Sequence, residues 1–378
     1  MKMTVHLQLA AMLALLPAIG GCAAPQPMAE ADPAERDLET VAELDQAPGN
    51  ITVTPDNDVI ISLHQHFEPE VRVARVTDDG QLEPFPDEHW NAGDEPGYLA
   101  LDSVLGIQSD PRGIVWMLDN GMRNDITPKL VAWDTRADRL HRIIHLPPPL
   151  VPEDQFVNDL AVDLTHNHIY IADPAGGDNA AILVVDLETG HARRVLEGDR
   201  SVVPEDIDMV FDGRPAEILD EDGETLRPRV GVNPFAVDAD NEWLYYGPMT
   251  GESMYRIRTA DLRDPDLDDQ QLSARIERYA DKPIGDGISI DRAGNIYISA
   301  ITDNAIGVIR SDRAYEVMFE DDALLLWPDA FSYGPDGKMY VVANQLHLGP
   351  VLNAGEDETQ PPYYIFRFQP LAPGTIGR

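Results

Sequence analysis

From Val157 the chain alternates apolar and polar positions through Leu160 and Val162, turns at residues 165–167, and alternates again through Ile169 and Ile171. Residues two apart share one face of a strand, so alternation on both sides of a short polar turn predicts a β-hairpin. The pattern occurs six times. Taking the residue two places before the first apolar position of each hairpin as its lead, the leads are Gly49, Leu105, Asn158, Asn233, Asp286 and Asp329. They lie 56, 53, 75, 53 and 43 residues apart, which leaves room for about four strands and their turns in each repeat.

Further amphipathic segments follow the hairpins at 129–134 and 140–146, 181–186 and 191–196, 253–258 and 274–279, and 305–310 and 314–319. The sixth repeat offers only 363–368, while one strand-like segment, 38–44, stands unassigned before the first. Pairing these two would close a ring and leave no exposed strand edge. The expectation is an all-β, six-bladed β-propeller of four-stranded blades over residues 38–372, closed by its N-terminal strand, with 373–378 as a C-terminal tail. The longest spacing is filled by 204–229, whose Asp212-Gly213 and Asp222-Gly223 turns predict an extra hairpin excursion on the rim.

The start of the chain reads differently. Lys2 precedes an apolar run from Leu7 to Ile19 that is too short to span a bilayer and ends on Ile19-Gly20-Gly21-Cys22. This resembles a bacterial lipobox, which implies a signal peptide over 1–21, lipidation of Cys22 and a tether over 22–37. An ordinary secretory signal with a chance cysteine is the other reading. Cys22 is the single cysteine, so the mature chain has no internal disulfide. The expected location is the bacterial cell envelope or cell surface, with membrane contact through the lipid alone and Ala23 pointing to the outer membrane.

Charge changes the picture of partners. With 67 acidic and 28 basic residues the net charge is −39, which repels nucleic-acid phosphates. We read this Lys-poor acidity as adaptation to a salty habitat. The expected partner is a small molecule, and the expected state a monomer. No phosphate-binding Gly-rich loop, nucleophile elbow, zinc cluster or dinucleotide fingerprint is visible.

In a propeller the first strand of each blade lines the central channel, so the leads meet at one mouth. The second strand returns to the same face and brings His64, Asp119, Asp173, Thr302 and Asn344 there. Asn158, Asn233, Asp286 and Asp329 come from four consecutive repeats, whereas Gly49 and Leu105 are apolar. Two carboxylates about 6 Å apart repel by roughly 3 kcal/mol at an effective dielectric of about 20, and so call for a shared proton, a cation or a cationic ligand. The four oxygen-bearing leads suit a hard cation such as Ca²⁺; separate Asx-turns are the plainer reading of each. Asp159 and Asp119 are candidate general bases. His64 and His66 could share one strand face, and Trp327 could wall a pocket beside Asp329, although core packing is the plainer reading of Trp116, Trp243 and Trp327.

Several stretches resemble the major royal jelly protein/Yellow family: Val115-Trp116-Met117-Leu118-Asp119-Asn120-Gly121, Phe156-Val157-Asn158-Asp159-Leu160, Trp243-Leu244-Tyr245-Tyr246-Gly247-Pro248 and Leu326-Trp327-Pro328-Asp329. The resemblance runs over about residues 38–370 and implies a six-bladed propeller. More distantly the repeat is similar to the gluconolactonase/senescence-marker propellers, which implies a divalent metal at the leads and lactone hydrolysis. Gly49 and Leu105 depart from that pattern, where Glu and Asn are expected. Three functions stay open: a metal-assisted lactone or ester hydrolase, a non-enzymatic ligand- or amine-binding protein, and a Yellow-like isomerase stacking an aromatic substrate on Trp327, Tyr245 and Tyr246.

Overall fold

The computed structural model describes residues 37–91, 99–220 and 222–378, so the expected signal peptide, Cys22 and the tether through residue 36 lie outside the described residues. Six four-stranded antiparallel sheets surround a channel. Their inner strands are Pro48–Val53, Val104–Ser109, Leu160–Asp163, Val232–Val237, Gly285–Ile290 and Pro328–Tyr333, and each neighbours the next. The first also touches the sixth. The fold is a closed six-bladed propeller.

Its core is divided among the blade interfaces. In the second blade all of Ile114–Asp119 is buried, because both faces of this strand meet another blade. Trp116 and Leu118 pack toward the third blade, whereas Val115 and Met117 pack toward the first. An uninterrupted apolar run therefore suits the second strand, with each fully buried aliphatic side chain contributing about 1.5–3 kcal/mol.

Closure follows the expected pairing. Glu39–Leu44 lies antiparallel to Tyr363–Phe368 as the outer strand of the sixth blade. Ala42 and Leu44 enter the core between the sixth and first blades. Outside, Glu39 pairs with Lys338 and, at 2.9 Å, with Arg367.

Two regions differ from the sequence expectation. The outer strand of the fourth blade is Glu277–Asp281, later than 274–279, because a short helix, Asp269–Ser273, comes first. Asp268 caps that helix by accepting from Gln271 N at 2.8 Å, and Asp269 accepts from Leu196 N at 2.8 Å, so these acidic residues anchor the loop. The insertion forms two small hairpins, Val210–Phe211 with Arg214–Pro215 and Ile218–Leu219 with Thr225–Leu226. Rather than standing clear on the rim, it crosses the channel mouth: Met209, Phe211 and Ala216 pack with Met249, Trp327, Leu346 and Leu352.

Candidate functional site

The backbone aims the leads. In five inner strands the pairing slips by one residue at the lead, as between Val232 and Phe235, Gly285 and Ile288, and Pro328 and Phe331. Such a bulge sets an extra residue against the partner strand and redirects its side chain. All six leads and Asp159 line one cavity of about 80 Å³. That holds a few waters or a small ion and is well below the ~300–1,000 Å³ of drug-sized ligand sites.

Polar groups on this wall form a chain. Asn158 Nδ2 donates to Asn233 Oδ1, and Asn233 Nδ2 donates to Asp286 Oδ1. Trp327 Nε1 donates to Asp286 Oδ2 at 2.7 Å, and Asn344 Nδ2 to Asp329 Oδ2 at 2.9 Å. One residue deeper, Asn50 Nδ2 donates to Asp159 Oδ1 at 3.0 Å. Asn50 and Asp159 belong to the first and third blades; Gly106 stands between them in blade order. A Cβ at Gly106 would lie 2.3 Å from Asn158 O, so close approach of the backbones requires glycine there.

The electrostatics are uneven. Asp286 and Asp329 are buried and Asp159 is half-buried on the cavity wall. Burial pushes the Asp286 carboxyl up to about 6, opposed by the hydrogen bonds from Trp327 and Asn233. Burial, followed by the charge of Asp286, drives Asp159 well above the usual carboxylate range. Asp329 is raised likewise, by burial and then by Asp286 and Asp159. Among the described residues no ion pair reaches any of the three. Two other buried carboxylates have a cation beside them: Asp119 meets Lys129 at 2.8 Å, and Asp173 meets Arg194.

The two expected rings separate accordingly. His64 and His66 both line the cavity, but neither stands on a strand face as expected: His64 caps a 3-10 turn, Gln65–Phe67, that carries His66. The imidazoles are 4.7 Å apart; burial holds His64 well below its ordinary value and His66 at about 4, so both are neutral near pH 7. Asn344 reaches the site only through Asp329. Asp119, Asp173 and Thr302 do not line it. Asp119 accepts backbone N–H groups of Asp102, Ser103 and Gly121 beside its lysine, which makes it a structural anchor and leaves no free lone pair directed at a substrate. Asn50, Phe156 and Met209 are lining residues the repeat comparison missed. Asn50 occupies the same place after its lead as Asp159 does, which is the signal that could have found it.

A divalent cation does not fit the leads as they stand. Asn233 Oδ1 and both Asp286 oxygens already accept hydrogen bonds within the chain. Among the described residues no three His, Cys, Asp or Glu side chains are grouped to hold a metal ion. The arrangement offers instead a wall of three carboxyls facing a space fit for a monovalent charge, with the Asp159 carboxyl raised by burial and by Asp286.

The major royal jelly protein family model matches residues 102–360. The chain belongs to this family. Major royal jelly protein 1 of Apis mellifera is 22% identical over 261 residues, covering 64% of this chain and 56% of that protein. Major royal jelly protein 6 of Apis mellifera is 23% identical over 247 residues, covering 60% and 51%. The chain thus spans about half the length of the curated relatives it matches. Among solved structures, a gluconolactonase from Xanthomonas campestris aligns with TM-score 0.55 at 12% identity, over 89% of this chain and 90% of that one. A luciferin-regenerating enzyme aligns with TM-score 0.57 at 11% identity, over 90% and 98%. These two likenesses establish a shared propeller fold between them and this major royal jelly family member, and nothing finer.

Proposed function

We propose that this protein binds a small, positively charged molecule at the roofed mouth, with Asp159, Asp286 and Asp329 as counter-charges. One observation carries the reading: these three carboxyls share one cavity and, among the described residues, none has a cationic side chain paired with it, although Asp119 and Asp173 each have one. Uncompensated enclosed carboxyls are costly to ionise, and a ligand that supplies the missing charge recovers that cost on binding. Phe156 and Trp327 add aromatic walls of the kind that receive organic cations.

The test is titration with small primary and quaternary amines and their neutral isosteres, alongside elemental analysis of the purified protein. Amines should bind at least tenfold more tightly than isosteres, and Asp286→Asn should abolish that preference without unfolding the protein. Equal binding of charged and neutral probes, or stoichiometric Ca²⁺, would remove the reading.

A second reading is a lactone or ester hydrolase, as the expected relation to gluconolactonases suggests. Asp159 favours it, as a raised carboxyl on the cavity wall suited to general base catalysis. Turnover of lactones that disappears in Asp159→Asn would move the assignment there, and its response to a chelator would decide the role of Ca²⁺. The isomerase reading loses support because Tyr245 and Tyr246 are packed in blade-interface clusters, away from the cavity. Attachment to the bacterial envelope through lipidated Cys22 remains part of the proposal, and fatty-acid labelling that persists in Cys22→Ser would end it.

A further inference from the structure

At the end of the channel opposite the leads, residues 373–378 reach every blade. Gly377 O accepts from Thr52 Oγ1 in the first blade at 3.1 Å. Gly377 itself, at φ +86°, lies so close to the second blade that a Cβ would fall 2.3 Å from Ser109 O. Arg378 donates to Val162 O of the third blade at 2.7 Å, and to Asp238 O at 3.0 Å and Asn241 Oδ1 at 2.5 Å in the fourth. Pro373 O accepts from Arg292 N of the fifth blade at 2.9 Å. In the sixth, Tyr333 N donates to Arg378 O at 2.8 Å and Tyr333 O accepts from Gly377 N at 2.9 Å, a parallel β-bridge with Ile376. Asp163 and Asp238 place negative charge around the guanidinium.

We infer that the far mouth of the channel is a peptide-recognition site, occupied in cis by residues 373–378. It reads backbone through Tyr333, tolerates only glycine against Ser109, and receives a guanidinium between the third and fourth blades. Pairing an extended segment through its main chain while pockets select side chains is a general mode of peptide binding. Gly377 and Arg378 also face a narrow void shared with Asp159, so the bound segment closes the channel beneath the proposed ligand site.

The test uses full-length protein carrying Gly377→Val, whose added side chain collides with Ser109 and expels the segment. Its probe is a synthetic peptide of residues 372–378, APGTIGR. The wild-type protein, its site filled, should not bind the peptide. Gly377→Val should bind it saturably and gain thermal stability from it, and replacing the peptide arginine with alanine should weaken binding at least tenfold. Should Gly377→Val fail to fold, Arg378→Ala removes three hydrogen bonds without a collision and carries the same expectations. A folded variant that ignores the peptide, or a wild-type protein that binds it as well as the variant does, overturns the proposal.

Discussion

At the scale of single residues, Asp286 is the pivot of the wall. It takes the end of the Asn158–Asn233 chain on one oxygen and the Trp327 indole on the other. Trp327 holds this contact from a backbone φ of +52°, a left-handed conformation that is uncommon for a bulky residue. Burial raises the Asp286 carboxyl to about 6 in the fold, above the ordinary value of 3.8. A group raised on folding contributes stability that is fully present below its unfolded pKa and lost as pH rises through the folded one. The unliganded protein should therefore lose on the order of 2–3 kcal/mol from this group between about pH 4 and pH 6. Asp286→Asn should flatten the fall in melting temperature across that window. Because asparagine keeps only one acceptor for two donors, the variant starts lower by about 1 kcal/mol, and the slope with pH is the quantity to measure. An unchanged slope would mean the carboxyl is not held up by burial.

At the scale of elements, the insertion decides what reaches that wall. Phe211 stacks on Trp327 at 5.3 Å and on His347 at 4.4 Å, and Glu217 N donates to Leu352 O at 3.0 Å, joining the roof to the sixth blade. Phe211→Ala should raise amide exchange in residues 206–219 at least tenfold while leaving inner-strand peptides protected, as measured by mass spectrometry; uniform acceleration would instead mean that the roof is part of the global fold. The blades could be read from sequence because large apolar residues recur at alternate positions, as Leu160 and Val162 do toward the second blade, with the smaller Ala161 facing the fourth. The leads could be read because topology alone brings strand starts together. The roof could not: Met209 and Phe211 are isolated apolar residues in two-residue strands, with no period to reveal a face. Nor could residues 373–378, whose Pro, Gly and Thr composition reads as a tail although its backbone and the Arg378 guanidinium bond to the blades. The ion-pair commitments of Asp119 and Asp173 were hidden for a related reason, since Lys129 and Arg194 reach them only across neighbouring strands.

At the scale of the whole molecule, stability rests on a ring of interfaces joined at one point. Glu39–Leu44 supplies the outer strand of the sixth blade and part of the core against the first. Deleting residues 37–45 should lower the melting temperature by at least about 5 °C in calorimetry, through lost burial and an exposed edge on Tyr363–Phe368. An unchanged midpoint would mean the remaining strands hold the ring by themselves.

That joint also imposes a timetable. Among the described strands Glu39–Leu44 is translated first, yet its partner, Tyr363–Phe368, is translated last. At about 5–20 residues per second, the early strand waits tens of seconds for its mate. Until then the nascent ring is an unclasped bracelet with adhesive ends. A chain cut short anywhere before residue 363 can never be fastened, so the same bond that seals the finished protein leaves every such unfinished copy with open edges.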